Sequence, residues 1–194
     1  MTDILEAAEY LSRHRELAVL ELLAPFTAPV LLAGAYQGAT ARAFPYFDAR
    51  MTVHGFEPQP WCHPLLADAP MTLHPVALGD HDGTVTLHRM GGDYASLVDT
   101  SKDGEEPTIE VQMVEAKAYL AAISPRWSLF VFNMEGYEYT LLPYLAQSGV
   151  LDTVDNLLVQ FHPKAWNGPV PELPPNWVKR WDRFPAWVWW QQYR

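Results

Sequence analysis

The sequence predicts an α/β fold with a mostly parallel sheet, and three observations support this prediction. Short apolar runs alternate along the chain with segments of helical periodicity. The runs at 128–134 and 154–161 are rich in apolar residues, as strands buried on both faces of a parallel sheet are. A glycine turn, Gly34 to Gly38, separates the first apolar run from a helical segment. Such a turn is typical of the first βαβ unit of a nucleotide-binding sheet.

The elements of the first half follow this alternation. Asp3 and Glu6 match a capping box, and the helix that they begin ends at Pro25. The pattern then predicts a strand at 29–34, a helix at 38–47, a strand at 51–57, a short helix within 58–68 and a strand at 71–78.

In the second half, a turn at 80–83 leads into a strand at 84–88. Residues 90–106 are polar and glycine-rich and are predicted to form a loop, a common location for substrate selection. The next elements are a strand at 108–114, a helix at 115–123, a strand at 128–134, a helix at 137–147 and a strand at 154–161. We expect one domain, 1–194, with an N-terminal helix (1–25), a nucleotide-binding core (26–162) and a Pro- and Trp-rich extension that holds the last strand (163–194).

Composition narrows the classes of partner. The net charge of −10 over 194 residues argues against nucleic acid and anionic membranes, whose phosphates are bound by clustered Lys and Arg. Cys62 is the lone cysteine, so no internal disulfide can form. The first residues lack a signal-peptide pattern, and no apolar run approaches the roughly 20 residues that span a bilayer. We therefore expect a cytoplasmic protein.

Glu57 stands at the end of the second predicted strand, 57 − 38 = 19 residues after Gly38. A carboxylate about 20 residues beyond the glycine turn can accept the ribose hydroxyls in a nucleotide-binding βαβ unit. Short glycine turns also simply connect strands to helices. The local pattern therefore leaves two interpretations open, a nucleotide site and a plain connection.

Six short motifs extend the pattern over most of the chain. They are Gly34-Ala35-Tyr36-Gln37-Gly38, Gly55-Phe56-Glu57-Pro58, Val76-Ala77-Leu78-Gly79-Asp80 with Asp82-Gly83, Ala95-Ser96-Leu97, Asn133-Met134-Glu135-Gly136-Tyr137-Glu138 and Leu158-Val159-Gln160-Phe161-His162. In this order and spacing, residues 30–162 resemble the FkbM family of S-adenosylmethionine-dependent methyltransferases. The resemblance implies a Rossmann-like class I methyltransferase fold, with helices on both faces of a seven-stranded sheet that ends in an antiparallel strand. It also implies O-methylation of a sugar or another hydroxyl-bearing small molecule.

The resemblance also implies roles for individual residues. Binding of S-adenosylmethionine is implied for Gly34, Ala35, Tyr36, Gly38, Glu57, Pro58, Ala77, Leu78, Asp80 and Asn133. Gly34 and Gly38 would cradle the methionine end, and Glu57 would hold the ribose. Ala77 and Leu78 would flank the adenine. Glu135, Glu138 and His162 match the family's acidic pair and the histidine that ends its fifth strand, close to where the methyl group is passed on.

Methyl transfer to a hydroxyl depends on positioning, and a general base helps to remove the hydroxyl proton. His162, Glu135 and Glu138 are the catalytic candidates, because all three follow strands whose carboxyl ends hold ligands in open α/β sheets. A histidine with an unperturbed pKa of about 6.5 suits the role of base. His162 could instead serve only the turn at Pro163, and a structural role at a helix N-terminus is the favoured interpretation for Glu138. No histidine or cysteine spacing typical of a metal site occurs.

Three positions depart from the family pattern and motivate an alternative function. Leu32, Asn133 and Gln160 stand where the family usually carries Asp, Asp and Glu. Carboxylates favour the sulfonium and ammonium of S-adenosylmethionine, and neither an amide nor a leucine carries their charge. The alternative is therefore a catalytically inactive relative that binds a nucleotide-like ligand or a partner. A NAD-dependent oxidoreductase is a weaker candidate, because the turn reads G-x-x-x-G rather than G-x-G-x-x-G.

Six of the eight tryptophans lie after residue 165. The favoured interpretation of the end of the chain is a final strand with Trp187 and Trp189 on one face and Trp190 on the other. A stacking platform for a substrate is the alternative. Trp166, Trp177 and Trp181 could line a cleft or a homodimer contact.

Overall fold

The computed structural model describes residues 20, 23–88, 95–99, 107–162, 170–182 and 187–193. Within these ranges the strands form one sheet of seven strands and one of three. The strands, in chain order, are β1 (Val30–Ala33), β2 (Val53–Phe56), β3 (Thr72–His74), β4 (Ala77–Gly79), β5 (Gly83–Leu87), β6 (Ile109–Glu115), β7 (Leu129–Phe132), β8 (Asn156–Gln160), β9 (Trp177–Asp182) and β10 (Trp187–Gln192).

The larger sheet has the strand order β3-β2-β1-β7-β8-β10-β9. The first five strands in this order, β3, β2, β1, β7 and β8, run parallel to one another. β10 runs antiparallel to both β8 and β9, between which it lies. The prediction of an α/β chain with a mostly parallel sheet is therefore confirmed, and the last strand of that sheet is antiparallel.

Helices and short 3-10 segments connect the strands. After β1 come α1 (Ala39–Ala43) and a 3-10 turn at Phe44–Tyr46, so the helix predicted over 38–47 changes type where Pro45 removes a backbone donor. A 3-10 segment at Pro60–Leu66 follows β2.

The remaining helices flank β7. α2 (Ala116–Ile123) follows β6, and the carboxylate of Glu115 caps it by accepting hydrogen bonds from the first free backbone N–H groups. α3 (Glu138–Gln147) follows β7, and a 3-10 turn at Val150–Thr153 leads towards β8.

Both faces of the larger sheet are covered. In β1, Leu31 and Ala33 pack into the apolar cluster that contains residues of α3, whereas Val30 and Leu32 pack into the cluster that contains a residue of α1. Each of these four side chains is at most 1% exposed. The alternation follows from the period of two in a strand, and it is what a sheet buried on both faces requires.

The strand predicted over 71–78 is in fact two strands in different sheets. β3 pairs in parallel with β2 in the larger sheet, and β4 pairs in parallel with β6 in the smaller one, whose order is β4-β6-β5. Pro75 lies at the break, where it can donate no ladder hydrogen bond. The smaller sheet lies beside the carboxyl ends of the parallel strands, and it supplies part of the cleft described below.

The chain ends in a β9–β10 hairpin that sequence patterns predicted only in part. Trp187 and Trp189 pack into the same apolar cluster as Leu32, and Trp190 packs into the opposite cluster, which confirms the predicted facing of the last strand. β9 was not predicted. It forms the edge of the sheet, and Lys179 and Arg180 at its centre are exposed.

Parts of three predictions fall on residues outside the described ranges. They are the N-terminal helix, of which only residues 20 and 23 are described as helical, the loop at 90–106 apart from 95–99, and Trp166. Among the described residues, none of the helices combines the length and the apolar character that crossing a membrane requires.

Candidate functional site

A cleft of about 640 Å³ opens where β1, β2, β7 and β8 end. Ligands of open α/β sheets bind at this carboxyl edge, outside the point where connections on the two sides of the sheet diverge. The cleft is lined by the turn after β1, the residues that follow β2, the segment at 76–78, the segment after β7, and Gln160 and His162 at the end of β8.

Gly34 allows the ends of β1 and β7 to come together at the floor of the cleft. Its backbone is left-handed, with φ +83°, and a Cβ at this position would overlap the carbonyl oxygen of Asn133. Only glycine meets both demands. The glycine turn recognised in the sequence therefore has a packing reason that is specific to this edge of the sheet.

Two residues other than glycine also adopt left-handed backbone conformations, and both line the cleft. Tyr36 has φ +46° and Glu135 has φ +51°. Such conformations are uncommon outside glycine, and they concentrate at binding and catalytic sites. Ser96 holds the second of them, because its Oγ donates a hydrogen bond of 2.7 Å to the carbonyl oxygen of Glu135.

Glu57 is buried at the centre of the cleft wall. Its Oε2 accepts a hydrogen bond of 2.6 Å from the backbone N–H of Tyr36, and its Oε1 accepts one of 2.9 Å from that of Gln59. Burial raises the pKa of this carboxyl, although the two backbone donors oppose the shift. The Gln59 side chain also hydrogen-bonds this carboxylate, which has about four acceptor positions in all and so can accept from a ligand hydroxyl as well.

The side of the cleft nearest β3 and the smaller sheet is apolar. Ala77 and Leu78, which were predicted to flank an adenine, line it and are both buried. Pro58 also lines the cleft. The apolar wall is completed by Phe56, Val76, Leu87, Ala95 and Leu97. Such a wall suits the flat face of an aromatic base.

Polar groups occupy the other side, at the ends of β7 and β8. Asn133 and Gln160 both line the cleft there. The Asn133 Oδ1 atom is buried and makes no hydrogen bond within the described part of the chain. A buried acceptor without a donor is unfavourable by about 1–3 kcal/mol, and a ligand N–H would relieve that penalty. Leu32, by contrast, lies in the apolar core, so its lack of charge does not change the lining of the cleft.

His162 lies between two carboxylates. Its Nε2 is 3.1 Å from Glu135 Oε1, and its Nδ1 is 3.0 Å from Glu138 Oε1. Burial lowers the pKa of His162, but the hydrogen bonds to Glu135 and Glu138 outweigh burial and raise it to about 9. At neutral pH the ring is therefore an imidazolium that donates from both nitrogens.

This geometry changes the roles expected of the three catalytic candidates. A base needs a free lone pair, which a histidine with a raised pKa lacks at neutral pH, so His162 as the base stays a prediction that this geometry does not favour. Glu138 is 0% exposed and does not line the cleft. Its Oε2 accepts a hydrogen bond from the backbone N–H of Gly136, and its Oε1 accepts from His162. Glu135, 16% exposed and on the lining, is the carboxylate that a ligand can reach.

Two residues predicted to bind cofactor lie off the lining. Gly38 (φ +87°) precedes α1, and a Cβ there would meet the side chains of Arg42 and Leu66 behind the turn. Asp80 follows β4, and its Oδ1 accepts a hydrogen bond of 3.2 Å from the hydroxyl of Tyr137, which does line the cleft. Gly38 therefore shapes the turn, and Asp80 ties the smaller sheet to the start of α3.

Sequence reasoning gave no role to Ser96 or Tyr137. Both residues belong to motifs that carry the family resemblance, and that membership was the signal that could have identified them. Their partners are distant in sequence: Glu135 lies 39 residues from Ser96, and Asp80 lies 57 residues from Tyr137. Ser96 is 1% exposed and Tyr137 is 9% exposed. Burial raises the pKa of the Tyr137 hydroxyl, and the negative charge of Asp80 adds to the shift. That hydroxyl therefore stays protonated and acts as a donor.

The described lining contains Glu57, Glu135 and His162 as its titratable charged groups, and it holds neither Lys nor Arg. Such a lining offers a pyrophosphate neither Lys nor Arg, and protonated His162 is already paired with two carboxylates. It favours a ligand that is neutral or positively charged. Among the described residues, no group of three His, Cys, Asp or Glu side chains could hold a metal ion.

Comparison with protein-family models and with curated proteins finds no match to this chain. The functional argument therefore depends on the geometry of the cleft.

Proposed function

We propose that the protein is an S-adenosylmethionine-dependent O-methyltransferase that acts on a hydroxyl of a small molecule or sugar. The observation that carries the proposal is the set of groups that line the cleft: apolar residues such as Ala77 and Leu78, the buried carboxylate of Glu57, and uncharged or negative acceptors at the ends of β7 and β8. An adenine, a ribose diol and an amino-acid end with an ammonium each match one of these three kinds of group. The strand order, with its antiparallel last strand, fits the Rossmann-like class I fold that the family resemblance implies.

The residues fit S-adenosylmethionine at specific atoms. Glu57 would accept the ribose hydroxyls through the lone pairs that its two backbone donors and the Gln59 side chain leave open. The buried Oδ1 of Asn133 would accept a hydrogen bond from the ammonium group. When bound, S-adenosylmethionine supplies a methyl group on a positively charged sulfur, and the electron pair of the broken carbon–sulfur bond stays on the sulfur.

The acceptor hydroxyl must lose its proton as the new carbon–oxygen bond forms. The Glu135 carboxylate is the group of this chain best placed to take that proton, because it lines the cleft and His162 is already protonated. The left-handed backbone at Glu135, fixed by Ser96, directs this side chain into the cleft rather than along α3.

Binding is tested by calorimetry and thermal unfolding with S-adenosylmethionine, S-adenosylhomocysteine and NAD. We expect the first two to raise the melting temperature by about 5–10 °C at roughly 100 times their Kd. NAD should have no effect, because the described lining has neither Lys nor Arg for its pyrophosphate and protonated His162 is already paired with two carboxylates. Stabilisation by NAD alone would favour an oxidoreductase instead.

Glu57→Gln sharpens this test. The amide keeps the size of the side chain but sets an N–H₂ group against a backbone donor and removes acceptors from the ribose site. We expect the affinity for S-adenosylhomocysteine to fall by about tenfold or more. Glu110→Gln, an exposed change on β6 away from the cleft, is the matched control and should bind as the wild type does. Equal affinity of both variants would contradict the assigned role of Glu57.

A binding protein without turnover is the alternative function, and the amides at Asn133 and Gln160 favour it because they lack the charge of carboxylates. The two functions are separated by transfer of the labelled methyl group of S-adenosylmethionine to a panel of hydroxyl compounds, sugars included. Turnover of any acceptor eliminates the alternative. Binding without turnover across the panel supports it.

A further inference from the structure

Three side chains, Glu135–His162–Glu138, form a line of polar contacts after β7 and β8. Both ring nitrogens of His162 face carboxylate oxygens, at 3.1 Å and 3.0 Å. A neutral imidazole has one N–H and one lone pair, and an ionised carboxylate can only accept. The two contacts are therefore both hydrogen bonds only when the ring carries two protons.

The three members differ in their access to the cleft. Glu138 is fully buried, and both of its oxygens are occupied by Gly136 and His162. His162 donates two hydrogen bonds to Glu138 Oε1, one from its backbone N–H (2.8 Å) and one from its ring (3.0 Å). Only Glu135 and one side of His162 face the cleft.

From these contacts we infer that Glu138 and His162 form a positioning unit, which keeps the Glu135 carboxylate aimed into the cleft and compensates the change of charge there. This inference rests on the proposed function, because it takes Glu135 as the group that accepts the proton of the acceptor hydroxyl. Ser96 forms the backbone part of the same unit, since its Oγ fixes the carbonyl of Glu135 and itself accepts from the N–H of Val98.

The net charge of these three side chains before and after proton transfer explains why two carboxylates are needed. With both ionised and His162 protonated, the line carries a net charge of −1. When Glu135 takes a proton from an acceptor hydroxyl, the net charge becomes zero, and the imidazolium remains paired with Glu138. Without the charge of Glu138, the same step would leave a half-buried imidazolium unpaired, which is strongly unfavourable. Glu138 thus acts through His162 and does not touch the reacting atoms.

The charged groups that act on His162 within the described residues are Glu135, from the segment after β7, and Glu138, from α3. Tyr139 lies next to Glu138 in α3, and its hydroxyl has a raised pKa because of burial and the charge of Glu138. It therefore adds no charge at neutral pH. Gln160, on the same strand as His162, is uncharged.

The test is a nuclear magnetic resonance titration of the His162 ring in the whole protein, in the wild type and in Glu138→Gln. We expect the wild-type ring to stay doubly protonated through pH 8, and the carbonyl-carbon signal of the Glu135 side chain to shift at the same midpoint. In Glu138→Gln the His162 midpoint should fall by about one pH unit or more, because one of two ion-pair partners is lost.

Glu115→Gln is the matched control. Its carboxylate also accepts two backbone N–H groups at a helix start, but it lies outside the lining of the cleft. It should lower stability while leaving the His162 midpoint within about 0.2 units of the wild type. Ser96→Ala provides a second variant, which should broaden or shift the Glu135 signal with His162 still paired to Glu138.

The outcomes separate the inference from the proposed function. A wild-type His162 that titrates near its ordinary value overturns the inference, even if Glu138→Gln does not fold. An unchanged midpoint in a folded Glu138→Gln variant overturns it as well. Calorimetry with S-adenosylhomocysteine gives an independent result: absent binding to the wild type overturns the proposed function, whatever the state of His162. Where the wild type binds, Glu138→Gln should bind within about threefold, because Glu138 does not line the cleft.

Discussion

Gly34 is the residue at which the backbone of the cleft leaves no room for a side chain. Gly34→Ala combines a left-handed φ, unfavourable by about 1–2 kcal/mol for alanine, with an overlap at the Asn133 carbonyl that adds about 1–3 kcal/mol. We expect the free energy of unfolding to fall by about 2–5 kcal/mol in urea titrations.

Gly149 offers a control with the same backbone and ordinary space. Its φ is +80°, and the nearest atom to an added Cβ is an Asp152 oxygen at 3.6 Å. Gly149→Ala should therefore lower the free energy of unfolding only by the cost of a left-handed φ for alanine, about 1–2 kcal/mol. Equal losses at the two positions would mean that the close approach of Gly34 to Asn133 does not limit this turn.

Residues that act within their own turn were predictable from the sequence, and residues that act across the fold were not. Gly34 and Glu57 belong to one βαβ unit, where spacing along the chain determines distance in space. His162 meets Glu138 across 24 residues of chain, and its protonation depends on that meeting. From sequence alone a histidine has only its ordinary pKa, and the raised pKa of His162 comes from two carboxylates that only the fold brings beside it.

At the scale of elements, the last strand β10 connects the two apolar clusters of the larger sheet. Trp187 is 2% exposed within one cluster, and we expect Trp187→Ala to lower the free energy of unfolding by about 3–5 kcal/mol, because it removes a large buried side chain and leaves a cavity. Chemical unfolding, followed by circular dichroism, measures the loss.

Trp189 is the informative comparison on the same face of β10. Its indole N–H is buried and makes no hydrogen bond within the described residues. Trp189→Phe removes that unsatisfied donor and keeps an aromatic ring, so the stability should change by less than about 1 kcal/mol. A loss as large as that at Trp187 would show that the indole nitrogen has a partner.

The limits of sequence reasoning about elements have physical causes as well. The sequence pattern located the parallel strands of the larger sheet, which are β1, β2, β3, β7 and β8. Strands covered on both faces are apolar and bounded by turns, so they stand out in a sequence. The run at 71–78 has the composition of one strand, and only the pairing partners show that Pro75 divides it between two sheets. β9 was missed because it is an edge strand, and exposed Lys179 and Arg180 interrupt its apolar alternation.

At the scale of the whole molecule, the cleft is the seam between the two sheets. The larger sheet supplies the polar strand ends, and the smaller sheet supplies apolar residues such as Leu78 and Leu87. Hydrogen bonds from Tyr137 to Asp80 and to Met113, and from Ser96 to Glu135, cross this seam. The catalytic candidate Glu135 is therefore positioned by both sheets.

The stability of the whole molecule should depend on pH through its buried histidines. His162 has a pKa of about 9 in the folded state and about 6.5 when unfolded, so its stabilising effect is complete below about pH 6.5 and is lost as the pH rises through 9. Burial lowers the pKa of His54 and of His74, so these rings have the opposite effect, and stability falls as the pH drops below about 6.5.

The free energy of unfolding, measured by urea titration from pH 5 to pH 10, should therefore pass through a maximum near neutrality. His162→Gln tests which group causes the fall in the free energy of unfolding above neutral pH. The variant should be less stable than the wild type at pH 7, because Glu138 loses its partner. It should also lose most of the decline in stability between pH 7 and pH 9.5. The fall in stability below about pH 6.5 should persist in this variant, because His54 and His74 pair with each other and not with His162. Burial also raises the pKa of Cys62 to about 12, so part of any decline above about pH 8.5 belongs to that thiol. A decline between pH 7 and about pH 8.5 that survives in His162→Gln would mean that the imidazolium is not held by the two carboxylates as the fold describes.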